Sequence, residues 1–384
     1  MSKESKGFKG SSRDDAERVG ARLGREAGPV PSSRRLDQAE QERAELARRA
    51  EALERRLTAL HSRATLGDLR TRLGTLDATL RNLPAALLEV RQGGYVYKAY
   101  LEKKVEVLQR QWEGLRQRLD AEAAQQGRML LQRVEEVQRR LLSLGGEFRP
   151  ADLEALEQEA NWIEGQVNDV AGTLEGTFRT LQDNVQQTER QIRDLRRLLQ
   201  EVAGASFRLR PEENAVEAVS AQYLIREEKE GPRGILFLTD QRLLFEQKED
   251  VVTAKFLFIP TQKQRVQKLL LEVPIGAVAE VRPGERGALM FKKELLELRL
   301  PQAGIPRALF RLEADSEAWA ALIGRVRSGD IAGERVGAEA APTVQASPAQ
   351  VPSRCPTCGA ALTAEIVRGM TGVTCEYCGT VIRL

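Results

Sequence analysis

From Arg35 to about Ala203 the apolar residues recur at alternating spacings of three and four. One run comprises Leu66, Leu69, Leu73, Leu76, Leu80, Leu83, Leu87 and Val90. A second comprises Leu101, Val105, Leu108, Trp112, Leu115 and Leu119, resumed at Leu130, Val134, Val137, Leu141 and Leu144; a third comprises Leu153, Leu156, Ala160, Ile163, Val167, Val170 and Leu174, resumed at Ile192. Such spacing lays a narrow apolar stripe along a helix and predicts a coiled-coil seam that buries against partner helices. Gly93-Gly94 and Gly145-Gly146, the latter followed by Pro150 and Asp152, divide the region into three segments of similar length. An antiparallel three-helix bundle is the expected arrangement. The leucine phase also runs through Pro84 and Gly94 to Tyr97, so a single kinked rod competes for the first two segments.

Charge supports a hairpin at the second glycine pair. Residues 152–178 carry Asp152, Glu154, Glu157, Glu159, Glu164, Asp169 and Glu175 without a base, whereas residues 128–149 carry Arg128, Arg133, Arg139, Arg140 and Arg149 against three acids. Folding back lays opposite signs side by side, which selects register more than it stabilises.

After Gly204 the period falls to two, and β-branched and aromatic residues replace Gln and Arg. Strands are predicted near 219–227, 233–239, 241–247, 255–259, 268–273, 276–282, 287–292, 294–300 and 307–312, with a helix over 316–327 that turns Trp319 and Ile323 inward. This describes a small barrel or bent sandwich with a helical plug. The expected organisation is a disordered tail over 1–34, a helical region over 35–203, a β domain over 204–330, a flexible Ala/Pro/Gly/Ser-rich linker over 331–354 and a terminal module over 355–384.

Residues 234–245, reading Gly-Ile-Leu-Phe-Leu-Thr-Asp-Gln-Arg-Leu-Leu-Phe, are followed by Val-Pro-Ile at 273–275 and by Phe310-Arg-Leu-Glu and Trp319. This β region resembles the bacterial pleckstrin-homology and GRAM-like domains, in which a strand ending in Leu-Thr-Asp turns tightly into the next. The resemblance implies a small β-barrel with a C-terminal helix that docks on membrane or protein.

All four cysteines lie in the terminal module, as two C-x2-C pairs: Cys355 with Cys358, and Cys375 with Cys378. Two such loops can present four thiolates to one tetrahedral ion, so the spacing predicts a zinc ribbon with all four as ligands of a structural Zn2+; iron is the main rival metal. Gly359 and Gly379 supply the positive φ that each knuckle needs. In so small a unit, metal binding supplies the folding free energy.

The chain has 384 residues and a formal net charge of +3. No segment concentrates the basic excess that phosphate binding demands, so nucleic acid is the weaker candidate partner, left to the ribbon and the basic tail. The one histidine, His61, stands in the first helix with no second His or Cys nearby, and no nucleotide-binding glycine loop occurs, which argues against an enzyme. No run of apolar residues is long enough to span a membrane, and the expected place is the cytoplasm.

One patch suggests peripheral docking. Lys255, Lys263, Arg265 and Lys268 surround Phe256 and Phe258 with no acid between Val251 and Leu271, as a basic rim around an apolar tip would on anionic lipid. The reading favoured by the sequence is thus a non-enzymatic scaffold or adaptor. In it a coiled coil self-associates or binds protein, the pleckstrin-like domain docks, and the zinc ribbon adds a contact surface.

Overall fold

The computed structural model describes residues 33–224, 231–256, 259–286, 293–301, 305–337, 352–362, 365–375 and 380–384. Phe258 and Cys378 lie outside these residues, as do 1–32 of the expected tail, the strand expected at 287–292 and 338–351 of the expected linker.

The helical region forms α1 (Ser33–Ala64), α2 (Gly67–Gln92), α3 (Tyr100–Ser143) and α4 (Pro150–Ala203). The first expected helix is therefore broken where the leucine phase is not. Leu66 is left-handed at φ 53, donates its N–H to Arg63 O at 3.0 Å and still buries its side chain. Gly127 of α3 faces the break, and a Cβ there would sit 3.3 Å from Ala64 O, so the glycine permits the close approach.

The chain divides into two compact units. The first, Met1–Ser62 with Leu131–Gly165, is helical in its described part. It buries Leu53, Leu57 and Leu60 of α1, Val134 and Val137 of α3, and Leu156, Ala160 and Ile163 of α4. Arg49 pairs with Glu157 at 2.7 Å and Arg56 with Glu164 at 2.5 Å, both 108 residues apart, so α1 and α4 run in the same direction. Arg140 of α3 pairs with Glu159 at 2.5 Å. The acids of α4 thus serve α1 as well as α3, which corrects the expectation that the arginines before Gly145 are their partners.

The second unit, Arg63–Leu130 with Gln166–Leu384, contains the rest. Arg91 pairs with Glu102 at 2.7 Å and Asp77 with Trp112 at 2.8 Å, so α2 and α3 are antiparallel. Gly94, at φ 94, opens a turn rather than a kink, and Arg91 Nη1 ties it by donating to Tyr95 O and Tyr97 O. Arg72 of α2 pairs with Glu175 of α4 at 2.7 Å.

The β region is one seven-stranded antiparallel sheet of β1 (Ala215–Tyr223), β2 (Arg233–Thr239), β3 (Arg242–Phe256), β4 (Ile259–Pro274), β5 (Glu280–Arg286), β6 (Lys293–Arg299) and β7 (Arg307–Leu312), in the order β4-β3-β2-β1-β7-β6-β5. The strands expected at 241–247, 255–259 and 268–273 are instead the two arms of one long hairpin, paired from Arg242↔Pro274 to Phe256↔Ile259. Polar residues along its arms need not end a strand whose ladder to the partner arm continues. Helix α5 (Ser316–Ser328), capped by Asp315 accepting from Ala318 N–H at 3.0 Å, packs on the sheet and buries Trp319 and Ile323. The strands β1 to β4 follow one another, while β5 to β7 join on the other side of β1, so β4 and β5 are the edges of the sheet, and no pairing between those edges closes the expected barrel among the described residues.

Leu236, Leu238, Leu243 and Phe245 enter the core as their alternation predicts. Phe237 and Leu244 are buried as well, because Ala205 and Phe207, following α4, cover the opposite face; the Phe207 and Phe237 rings meet edge-on at 5.1 Å. The unbroken Ile-Leu-Phe-Leu run is thus a strand covered on both sides. Residues 330–334, assigned by composition to the end of the β domain and the start of the linker, form a 3-10 turn that buries Ile331.

Candidate metal centre

Short strands β8 (Gly372–Thr374) and β9 (Val381–Arg383) pair antiparallel, and a bridge joins Arg354 to Ala361. Gly359, at φ 73, donates to Cys355 O at 2.9 Å, while Cys355 N–H reaches Ala360 O at 2.8 Å. These bonds form the knuckle expected of the first C-x2-C. Cys375 follows β8 directly and donates its N–H to Thr380 O at 2.9 Å.

The sulfurs of Cys355, Cys358 and Cys375 all lie within 4.8 Å of one another. Cys358 Sγ and Cys375 Sγ are 3.7 Å apart, far outside disulfide range. Tetrahedral thiolate zinc, with Zn–S near 2.3 Å, sets its sulfurs about 3.8 Å apart. The donor set and its spacing therefore fit a metal ion. Cys355 and Cys375 are buried and Cys358 is exposed; the expected fourth ligand, Cys378, is outside the described residues. The apolar support is small: Val373 and Ile382 are buried, with Leu362, Ile366 and Leu384 partly so.

The module is seated on α3 and α4. Asn184 Nδ2 donates to Gly372 O at 3.0 Å, and its Oδ1 accepts from Thr371 N–H at 2.8 Å. Lys104 Nζ donates to Gly369 O at 2.6 Å and to Gln187 Oε1 at 3.0 Å, with Gln191 Oε1 at 3.4 Å. Lys104 is fully buried without a carboxylate among these partners, and burial pushes its ammonium down to about 8. Met370 is buried in the main core. At the rim, Glu365 pairs with Lys103 and Arg110, and Arg368 pairs with Glu334 at 2.7 Å and stacks over Tyr100.

The β domain is held to the same helices through the turn after α2. Tyr97 OH donates to Asp240 Oδ2 at 2.7 Å, Lys98 pairs with Glu217 at 3.0 Å, and Val336 N–H reaches Val96 O at 2.8 Å. Burial first, then the Asp240 carboxylate, push the Tyr97 phenol far up. The Leu-Thr-Asp motif thereby gains a physical role. Thr239 Oγ1 accepts from the N–H groups of Gln241 and Arg242 to make the turn, and Asp240 receives Tyr97. Arg242 is buried in a network with Glu213 at 2.5 Å, Glu272 at 2.6 Å and Arg208 O. Burial pushes the Glu213 carboxyl up, but the hydrogen bonds from Arg242 and its neighbours prevail and hold it low.

Of the basic patch, Arg265 and Lys268 alone have described side chains. Lys255 and Phe256 end β3 and Lys263 lies in β4, without described side chains; Phe258 is outside the described residues. Arg265 and Lys268 are exposed, but their odd spacing along β4 sends them to opposite faces. Register also sets Arg265 across from Asp250, an acid just outside the segment that looked purely basic.

Sequence reading missed the seat itself. Thr180, Asn184 and Thr188 recur every fourth residue in α4 and are buried. Polar residues at a seam spacing are the one signal that could have marked a face covered by something other than a leucine stripe.

No family model and no curated protein matches the chain. Among solved structures it is similar to the N-terminal PH domain of Vps36, at 18% identity and TM-score 0.21 over 32% of this chain and 86% of that one. It is also similar to inhibited Vav1, at 14% and 0.23 over 72% and 84%, and to the linker-DH/PH domains of p115-RhoGEF, at 13% and 0.19 over 76% and 98%.

Proposed function

We propose that this chain is a non-enzymatic adaptor, in which a coiled-coil helical platform carries a pleckstrin-like β domain and a structural zinc ribbon and presents them to a protein partner. The observation that carries this reading is the double seating on one helical platform: Tyr97, in the turn between α2 and α3, holds Asp240 of the β domain, and Lys104 of α3 and Asn184 of α4 hold the ribbon. Groups that could do chemistry are spent on these joints. Lys104, Tyr97, Glu213 and Arg242 are all buried in contacts that fix one element to another. The separation of Arg265 from Lys268 favours a protein partner over anionic lipid.

The test is made on the full chain with zinc. Cross-linking in lysate of the source cells should yield protein contacts mapping to exposed helix or ribbon residues, with no flotation on phosphatidylserine vesicles at low salt. Retention on DNA at about 0.15 M salt, weakening steeply as salt rises, would move the ribbon and the tail to the nucleic-acid reading.

A further inference from the structure

At its seat the ribbon is gripped mainly by its main chain, with the Thr371 hydroxyl donating to Asn184 Oδ1 at 3.1 Å as well. Asn184 reads the N–H of Thr371 and the C=O of Gly372, and Lys104 reads the C=O of Gly369. Gly369 is at φ 82, and a Cβ there would meet Tyr100 Cε2 at 3.4 Å and Lys104 Nζ at 3.5 Å. At Gly372 a Cβ would meet Ile382 O at 3.0 Å and Thr180 Cγ2 at 3.4 Å. The seat therefore fits a turn of one backbone shape.

That shape depends on the metal centre. Gly372 opens β8, and Cys375 follows its last residue. Strands β8 and β9 hold three residues each, and the apolar cluster beneath them is small. Two such strands do not persist without a staple. The buried ammonium of Lys104 is tolerable only while Gly369 O and the two glutamines surround it.

We propose that the metal ion controls access to the α3–α4 face: the loaded ribbon covers Lys104, and loss of the ion releases the ribbon and opens the polar stripe Thr180, Asn184, Thr188, Gln187, Gln191 and Lys104. This rests on the zinc reading of the cysteines. Cys358, exposed at the edge of the centre, is the thiolate through which a chelator or oxidant reaches the ion.

The experiment labels the full chain with an amine-acylating reagent, reads each lysine by mass spectrometry, and measures bound metal and helix content alongside. Exposed Lys293 is the internal reference. Zinc-loaded protein should label Lys293 and spare Lys104. Chelation should raise Lys104 labelling by about tenfold or more while Lys293 is unchanged, and added zinc should reverse it. Asn184→Leu should raise Lys104 labelling with the ion still bound and the helix signal kept. Absence of zinc from the purified protein would overturn the metal reading. One zinc per chain, with Lys104 protected both after chelation and in Asn184→Leu, would overturn the gating alone.

Discussion

Gln109 of α3 donates from Nε2 to the carbonyl of Leu80 in α2 at 3.0 Å. That carbonyl lies four residues before Pro84, which has no N–H to offer it. The neighbouring helix therefore supplies the bond that proline removes, and α2 continues through a residue that ordinarily ends or kinks a helix.

Gln109→Leu should destabilise the second unit by about 1–2 kcal/mol, because a carbonyl between packed helices is left unpaired. In Pro84→Ala the helix satisfies Leu80 itself, so the same Gln109 change should cost much less. Denaturation of the four proteins of this cycle measures the difference, and additive effects would mean that the bond carries nothing.

Asp77 interrupts the leucine stripe and is buried, accepting from Trp112 Nε1 at 2.8 Å and from Arg116 at 2.5 Å, and pairing with Arg81. Burial pushes its carboxyl up, but Trp112 and the two guanidiniums outweigh it and hold the group below its usual range. A lowered carboxylate contributes stability above its unfolded value, about 3.9, and loses it as pH falls through the folded value. Acid unfolding followed by tryptophan fluorescence should begin at higher pH in Arg116→Met than in the parent, and Asp77→Asn should flatten the acid limb.

The Tyr97 phenol behaves in the opposite sense at the alkaline end. Its folded value is raised, so the stability it contributes is fully present below the unfolded value, about 10, and declines as pH rises above it. Tyr97→Phe should lower stability by about 1–2 kcal/mol near neutrality, and the gap to the parent should narrow above pH 10. Chemical denaturation across that range reads both.

Lys104 gives a third signature. Its folded value, near 8, is below the unfolded one, about 10.4, so the unfolded chain holds more protons between them and stability should rise with pH across that interval. Lys104→Met removes the rise along with the bond to Gly369 O. Equal slopes in parent and variant between pH 8 and 10 would show that the ammonium is not kept from water.

Metal analysis should find one zinc per chain, and Cys375→Ser should weaken binding by a large factor, because Cys375 is buried at the centre of the cluster. Full occupancy and unchanged affinity in that variant would remove the cysteines from the metal's coordination.

How much of this could be read from residues alone follows from the range of the forces involved. Period three-and-four marked the buried leucines, and period two marked Leu236, Leu238, Leu243 and Phe245, because burial acts on each residue separately. Ligand spacing marked Cys355, Cys358 and Cys375 as neighbours, because coordination geometry is local. The break at Leu66 was hidden: the glycine that leaves room for it, Gly127, is more than sixty positions away, and leucine rarely takes a left-handed backbone. Register was hidden as well, since only the pairing of β3 with β4 brings Asp250 opposite Arg265. Asn184 and Lys104 looked like ordinary polar residues of a helix until their main-chain partners arrived from the far end of the chain.

Because the seat grips peptide groups, natural sequence drift has unusual latitude in this module. Between Val367 and Thr374, homologous chains can exchange outward side chains without loosening the contact, provided glycine stays at 369 and 372, an apolar side chain at 370 and a hydroxyl at 371. The outer surface can then diversify toward new partners while the joint beneath it stays fixed.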